Sequence, residues 1–233
     1  MNSNGGMLMY TKVYESPGNQ PLIEMMKPGP ARILDIGCGS GGNASLIKDR
    51  YPSSEIVGVT YSAKEAELAR SHMTRVWVFD LESDIPTELL DQRFDVLICS
   101  HILEHLRDPA LILARLIKML RVGGQVLIAV PNVLSWRMRV QFLRGNFEYQ
   151  SYGVLDDTHL RFFTYNTSDR LLSLSPELQL EYKRVTGSMP LWLLRRYFIP
   201  GEWCRYIDRW GSVKWPNLYG DQILISAIKS KEG

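Results

Sequence analysis

The sequence is poor in cysteine, in net charge and in long apolar segments. Its three cysteines, Cys38, Cys99 and Cys204, lie far apart in 233 residues. This spacing argues against a disulfide framework or a zinc site and is typical of a reducing compartment. The net charge of +2 is far below that of a dedicated nucleic-acid-binding protein. No segment approaches the roughly 18 apolar residues of a membrane span, and residues 1–9 lack the features of a signal peptide. We therefore expect a cytoplasmic globular protein without a nucleic-acid partner.

From residue 31 onward, short apolar runs alternate with helical patterns. The runs predict strands at residues 31–36, 55–59, 75–79, 94–99, 125–130, 178–185 and 222–228. Helices are predicted at residues 21–27, 43–50, 62–71 and 108–120, the last of them ended by Gly123-Gly124. Ser62 and Glu65 form a capping box at the start of one helix. The alternation predicts an α/β fold with a seven-stranded, mostly parallel sheet and helices on both faces.

The chain length and this pattern predict one domain in three parts. Residues 1–30 are expected to form an N-terminal segment over the ligand site, residues 31–132 the ligand-binding core, and residues 133–233 the substrate side with the last strands. Residues 187–220 are rich in tryptophan and tyrosine. We interpret them as a lid inserted before the last strand, although their aromatic side chains could equally serve only to pack the insertion onto the sheet.

A glycine-rich turn follows the first predicted strand. It contains Gly37, Gly39 and Gly41, with Asp35 just before them. Residues without Cβ let the turn pass close to a ligand with positive φ, and the helix that follows offers free backbone N–H groups. Because dinucleotide-binding domains use a similar turn, this feature alone indicates only a nucleotide-like ligand.

The positions of two carboxylates distinguish between the possible classes of ligand. Asp35 can hold the turn and interact with the ammonium group of an amino-acid ligand, whereas it would repel a pyrophosphate. Asp80, at the end of the third predicted strand, can accept a hydrogen bond from an exocyclic amine such as adenine N6. The fourth predicted strand ends at Ser100-His101 and is followed by Glu104-His105 and Asp108-Pro109.

Together, the segments ILDIGCGSGG, FDVLICSHILEHLRDP and LRVGGQVLIAVPN resemble class I S-adenosylmethionine (SAM)-dependent methyltransferases of the small-molecule type 11/type 23 kind. The resemblance covers residues 31–132 and extends more weakly through residues 156–164 to the last strand. It implies a Rossmann-like fold, SAM as cofactor and S-adenosylhomocysteine as product. The cofactor-binding residues it implies are Asp35, Gly37, Cys38, Gly39, Gly41, Thr60, Tyr61, Ser62, Asp80, Leu81, Ser100 and Tyr14.

The residue at the end of the second strand departs from the family pattern. Family members usually carry Asp or Glu there and bind both ribose hydroxyls with it, whereas this chain has Thr60. A neutral hydroxyl makes a weaker hydrogen bond than a carboxylate. Relatives of the cyclopropane synthases also have threonine at this place, so SAM binding remains the expectation.

Transfer of a methyl group to a hydroxyl needs a base, and histidine suits neutral pH best. Our leading candidate is His159, which lies beside Asp156 and Asp157 in a segment that similar proteins carry near the active-site mouth; Asp157 is its candidate orienting group. The second candidate is His101, directly after the fourth strand. The alternative for His159 is a buried structural histidine that fixes its loop.

A divalent metal is a second possibility for this region. His101, Glu104 and His105 have i, i+3, i+4 spacing, which would place them on one face of a helix. Ubiquinone-pathway O-methyltransferases show a similar Glu-x-x-Glu-His and use a divalent ion. We favour the alternative that this segment caps and packs the helix without a metal.

The acceptor cannot be read from the sequence, but arginines are frequent in the predicted substrate-side segments, for example Arg137, Arg139, Arg205 and Arg209. Since arginine binds carboxylates and phosphates, we expect a small-molecule acceptor that is acidic or phosphate-bearing, such as a sugar or glycan intermediate, with a solvated basic face as the alternative. Residues 190–210 could also contact a membrane surface. O-methylation is favoured over N- or C-methylation and over a binding subunit without activity, and the oligomeric state stays open.

Overall fold

The protein is described by a computed structural model over residues 17–187 and 201–232. Its centre is a seven-stranded sheet in the order β3-β2-β1-β4-β5-β7-β6. β7 runs antiparallel to both of its neighbours, whereas β1 to β5 pair in parallel. The strands are β1 (Arg32–Ile36), β2 (Glu55–Thr60), β3 (Arg75–Val78), β4 (Phe94–Ser100), β5 (Leu120–Pro131), β6 (Leu178–Thr186) and β7 (Gln222–Lys229). The predicted mostly parallel α/β sheet is therefore confirmed.

The helices that flank the sheet follow the predicted alternation and then continue into the insertion. They are α1 (Gln20–Ile23), α2 (Gly42–Arg50), α3 (Ala63–Ala69), α4 (Thr87–Leu90), α5 (Pro109–Leu116), α6 (Trp136–Leu143), α7 (Gly201–Lys214) and α8 (Pro216–Tyr219). Short 3-10 turns occupy Leu103–His105, Ile117–Met119 and Ser168–Leu172. Within the described ranges, none of these helices is both long enough and apolar enough to cross a membrane.

Apolar side chains on both faces of the central strands hold the sheet between the helices. Leu34 and Leu97 belong to the hydrophobic cluster on one face, and Ile33 and Val96 to the cluster on the other. β1 and β4 are almost wholly buried, as expected for central strands of a parallel sheet covered on both sides. Their near-continuous apolar runs made these strands visible in the sequence.

The segment before β5 differs from the prediction. The helix predicted to run to residue 120 ends at Leu116 and passes into a 3-10 turn. The Gly123-Gly124 pair does not end that helix but lies inside β5, where Gly123 has a φ of 81°. The pairing of β4 with β5 shifts register between Phe94 and Val96, so the glycines accommodate an irregular strand.

The sheet topology places a ligand site at the carboxyl ends of β1 and β4. β1 lies between β2 and β4, and Ile36 pairs with Cys99 at the ends of β1 and β4. The chain leaves β1 toward β2 on one side, while β4 lies on the other, and ligands of open α/β sheets bind at such a reversal. Residues 17–19 pack there as well, since the Asn19 backbone N–H donates to Asn43 Oδ1 at 2.9 Å and its side chain reaches Gln222 Oε1 at 2.9 Å.

Candidate active site

The glycine turn after β1 is built as the sequence indicates. Gly37, Gly39 and Gly41 have φ values of 70°, 51° and 90°, in the left-handed region that favours glycine. The amides of Gly37 and Cys38 donate to the Val59 carbonyl at 2.8 and 2.9 Å, which anchors the turn to the end of β2. Gly41 is the N-cap of α2, so the helix starts directly behind the turn.

The turn also contacts the segment that follows β4. A Cβ placed on Gly37 would lie 2.8 Å from side-chain atoms of Ile102, a distance too short for any real side chain. Gly37 therefore permits the turn to approach the segment that carries His101, Glu104 and His105. The predicted cofactor turn and the predicted catalytic segment are neighbours in the structure.

Asp35 is fully buried at the end of β1. Asn43 Nδ2 donates to its Oδ1 at 3.4 Å, while Oδ2 has no hydrogen-bond partner among the residues that the structure describes. Burial raises the pKa of Asp35 to about 7, against the opposing effect of the Asn43 hydrogen bond. A buried carboxylate oxygen without a donor fits the ammonium group of SAM. On this observation, the residues at the site are compatible with SAM as cofactor.

Thr60 does not stand alone at the end of β2. Its hydroxyl donates to Glu65 Oε2 at 2.5 Å, and it accepts from the Ser62 backbone N–H at 3.2 Å. Glu65 is buried on α3, and its own backbone N–H donates to Ser62 Oγ at 3.4 Å. A buried carboxylate from the first turn of the next helix thus reaches the end of β2, where the strand itself has no acid. From the sequence, Glu65 was expected only as part of the capping box.

The remaining predicted cofactor residues differ in their exposure to solvent. Asp80 is exposed after β3, and its Oδ1 accepts from the Glu82 backbone N–H at 2.9 Å. Leu81 is buried, Tyr61 is half-buried, and Ser100 Oγ lies 3.4 Å from Asn19 Nδ2. Tyr14 lies outside the described residues.

His101 has a φ of 53°, which is uncommon for a residue with a side chain, and its side chain is 41% exposed. Its Nδ1 lies 3.3 Å from Glu104 Oε1, and its Nε2 lies 2.9 Å from Gln222 Oε1. Burial would lower the pKa of His101, but the hydrogen bond and charge of Glu104, together with Gln222, raise it above the ordinary value. Because both ring nitrogens face acceptor oxygens, the ring suits a charged imidazolium more than a general base.

His159 is buried, with 6% of its side chain exposed. Its Nδ1 lies 2.9 Å from the Val154 carbonyl, and a carbonyl can only accept, so Nδ1 carries the proton. The lone pair of the neutral ring is therefore on Nε2, which lies 3.9 Å from Glu104 Oε1. The predicted leading base is positioned by Val154 and faces a buried carboxylate.

His105 lies edge-on to His159, with ring centroids 4.7 Å apart. Its Nδ1 lies 2.9 Å from Thr158 Oγ1, and that hydroxyl donates to Asp156 Oδ1 at 2.6 Å. Burial lowers the pKa of His105, as does the charge of His159, while Glu104 opposes both. Asp157, the predicted orienting carboxylate of His159, is exposed. The carboxylate that orients a histidine is instead Asp156, which acts on His105 through the Thr158 hydroxyl.

Ligand atoms of Glu104, His105 and His159 all lie within 4.8 Å of one another. The metal set predicted from spacing contained His101 in place of His159. The helix on which that spacing depends is absent, because Leu103–His105 is a 3-10 turn. His159 instead enters the group from the segment between β5 and β6, which no local spacing in the sequence could show.

The basic residues expected around the acceptor are distributed over several sites. Arg137 pairs with Asp221 at 3.3 Å, and Arg139 Nε donates to the Leu134 carbonyl at 2.8 Å. A cleft beside the N-terminus of α5 is lined by Arg107, Arg161 and Arg170 together with Phe162 and Phe163. α7 exposes Trp203, Tyr206 and Trp210, whereas residues 188–200, which include much of the proposed membrane-contacting segment, lie outside the described residues.

Comparison with known proteins assigns the chain to one family. The family model described as "Methyltransferase domain", of the type 23 kind, matches residues 19–173. A trans-aconitate 2-methyltransferase from Methylobacterium radiotolerans is 30% identical over 131 residues, which are 54% of this chain and 49% of that protein. A ubiquinone biosynthesis O-methyltransferase from Alkalilimnicola ehrlichii is 32% identical over 105 residues, 43% of this chain and 42% of that protein. The chain thus spans about half the length of the curated relatives it matches.

Solved structures show the same fold at low sequence identity. The plantazolicin methyltransferase BamL, solved with S-adenosylhomocysteine and a triazolic desmethylPZN analog, superposes with a TM-score of 0.57 and 16% identity. The match covers 90% of this chain and 80% of BamL. The Rossmann-like methyltransferase fold predicted from the sequence is confirmed.

Proposed function

The chain belongs to the methyltransferase-domain family of the type 23 kind, a SAM-dependent family, and from this premise we propose that it moves a methyl group from SAM to an oxygen atom of a small molecule. The observation that carries the proposal is the contact between the glycine turn and Ile102. It sets the Asp35 carboxylate, which would take the ammonium of SAM, at the same edge of the sheet as the histidines that follow β4.

Oxygen is favoured as the acceptor atom by the chemistry of this segment. When bound, SAM supplies a methyl group already activated by its sulfonium. The chain must then align the acceptor, exclude water and accept a proton if the acceptor is a hydroxyl. Because His159 Nδ1 donates to the Val154 carbonyl, Nε2 is the ring nitrogen that can accept that proton. One of the relatives is itself named an O-methyltransferase.

An acidic acceptor is the substrate class we propose. The acceptor would lie in the cleft lined by Arg107, Arg161 and Arg170. Arg107 pairs there with Glu82 at 3.4 Å and Arg161 donates to the Arg107 carbonyl, so their remaining N–H groups and the Arg170 guanidinium are the ones suited to carboxylates or phosphates. The Arg161 backbone N–H donates to the Glu104 carbonyl at 3.0 Å, which ties the cleft to the histidine segment. Relatives named for trans-aconitate, a carboxylate-bearing molecule, support the same class.

Calorimetric titration of the purified chain with SAM and with S-adenosylhomocysteine tests the enzyme proposal. We expect both to bind in the micromolar range, and failure of both at millimolar concentration would contradict the proposal.

A methyl-transfer assay with radiolabelled SAM tests the base. His159→Ala is expected to cut turnover about a hundredfold while leaving SAM affinity intact. Unchanged turnover would rule out His159.

The acceptor class has its own test, with trans-aconitate and its trimethyl ester as probes. We expect methyl transfer to trans-aconitate, or inhibition by it, and neither with the ester. Arg170→Gln, an exposed residue of the cleft, is expected to weaken the trans-aconitate effect about tenfold. Arg50→Gln, exposed at the end of α2, is the matched control and should leave it unchanged. Equal effects of acid and ester would contradict an acidic acceptor.

A further inference from the structure

Three side chains with metal-binding atoms converge at the segment that follows β4. Glu104 and His105 come from the 3-10 turn after β4, and His159 from the segment between β5 and β6. Their ligand atoms lie within 4.8 Å of one another, and Glu104 is fully buried. The group joins two parts of the chain that are more than fifty residues apart.

The Glu104 carboxylate is buried beside one imidazole, that of His101, with its second oxygen unpaired among the described residues. Neither of its oxygens makes a hydrogen bond of good geometry with the described residues. His101 Nδ1 lies 3.3 Å from Oε1 and offers one positive charge, but Oε2 is left without a hydrogen bond. An ionised carboxylate in such a place is costly unless a second cation or donor compensates it.

Both histidines of the group are held in defined tautomers. His159 Nδ1 donates to the Val154 carbonyl, which leaves its lone pair on Nε2, 3.9 Å from Glu104. His105 Nδ1 lies beside Thr158 Oγ1, whose own proton goes to Asp156. His105 therefore donates from Nδ1 as well, and its neutral ring carries the lone pair on Nε2. Metal-binding histidines characteristically donate their second ring nitrogen to a carbonyl or to a carboxylate-linked group in this way.

We propose that Glu104, His105 and His159 form a binding site for one divalent transition-metal ion. Two imidazoles and one carboxylate are a donor set that suits Zn²⁺, Mn²⁺ or Fe²⁺ better than the all-oxygen sites of Ca²⁺. Tetrahedral zinc, with ligands at about 2.0–2.2 Å, places neighbouring ligand atoms about 3.3–3.6 Å apart. The observed separations are 3.9 Å between Glu104 Oε1 and His159 Nε2 and at most 4.8 Å within the group, so metal binding would require a contraction of about 0.3–1.5 Å.

Three protein ligands leave at least one coordination position for a small oxygen ligand. A metal at this site would bind an acceptor oxygen and lower the pKa of its hydroxyl, and His159 would be a ligand, with proton removal no longer depending on its ring. This catalytic consequence rests on the proposed methyl transfer to oxygen. Metal binding itself does not, so the two can fail separately.

Titration of the chelator-treated full chain with Co²⁺, followed by its visible absorption, tests the site directly. We expect one equivalent to bind, with d–d bands typical of low coordination number, and Zn²⁺ to displace it. His159→Gln and Glu104→Gln are expected to abolish the bands, whereas His72→Gln, an exposed histidine after α3, serves as the matched control and should retain them. SAM titration of each variant reports separately whether the cofactor site is intact.

Thr158→Val keeps the ligands and removes only the hydroxyl beside His105, so it guards against misfolding of the ligand variants. It is expected to weaken Co²⁺ binding about 10–100-fold. Two results would overturn the proposal: no Co²⁺ bands in the wild-type chain at millimolar metal, or wild-type affinity in both His159→Gln and Thr158→Val. A chain that binds SAM but no Co²⁺ would leave the methyltransferase proposal standing and refute only the metal site.

Discussion

Thr60 donates its hydroxyl proton to the Glu65 carboxylate at 2.5 Å, so the end of β2 presents an acid that its own strand does not contain. The family pattern places the ribose-binding acid on the strand, whereas this chain has a buried acid on α3, whose backbone N–H donates to the N-cap Ser62. The pair gives the site a carboxylate with a fixed position. We expect it to accept from the ribose hydroxyls of SAM.

The first prediction concerns this carboxylate. Glu65→Gln keeps the shape of the side chain but loses the charged acceptor, and a hydrogen bond to a charged group contributes about 1.5–3 kcal/mol. SAM affinity, measured by calorimetry, is therefore expected to fall about 10–100-fold. Thr60→Val should cost less, because the carboxylate remains. The exposed Glu67→Gln on the same helix is the control; if it weakens binding as much as Glu65→Gln does, the assignment of Glu65 is wrong.

Glu65 illustrates which features of the fold and of the site could be predicted from the sequence. The central strands were predicted to within one or two residues, because β1, β2 and β4 are apolar runs whose burial is independent of distant partners. Glu65 was visible only as a capping residue, since its second contact, with Thr60, depends on how α3 packs over the strand end. His159 was picked out by its neighbours Asp156 and Asp157, but its approach to Glu104 is a tertiary contact. α6 was missed because its arginines and aromatics obscure the helical period.

The second prediction is a pH dependence of cofactor binding. Burial raises the pKa of Asp35 in the free protein to about 7, whereas in the unfolded chain it is near the ordinary 3.9. The folded protein therefore keeps its proton where the unfolded chain has lost it. Stability from this group is present at low pH and is lost as pH rises from about 4 to about 7. An ammonium ligand reverses the preference, because it requires the ionised carboxylate.

SAM affinity should consequently rise as pH increases to about 7 and fall again near pH 8, where an α-amino group loses its proton. Close to one proton, roughly 0.9, should be released on binding at pH 6, measured by calorimetry in buffers of different ionisation enthalpy. Asp35→Asn should bind SAM weakly and release no proton. Wild-type binding at pH 6 without proton release would show that Asp35 does not meet the ammonium.

The last prediction separates backbone strain from close approach at the glycine turn. Gly37 and Gly145 have similar φ values of 70° and 77°, so alanine at either position carries the same left-handed cost of about 1–2 kcal/mol. Only at Gly37 would the new Cβ also meet Ile102, at 2.8 Å; at Gly145 nothing lies within 4 Å. Denaturant unfolding should show the larger loss of stability for Gly37→Ala, and calorimetry a loss of SAM affinity for Gly37→Ala alone. Equal losses in the two variants would mean that the turn is merely strained and that its contact with the histidine segment has no part in cofactor binding.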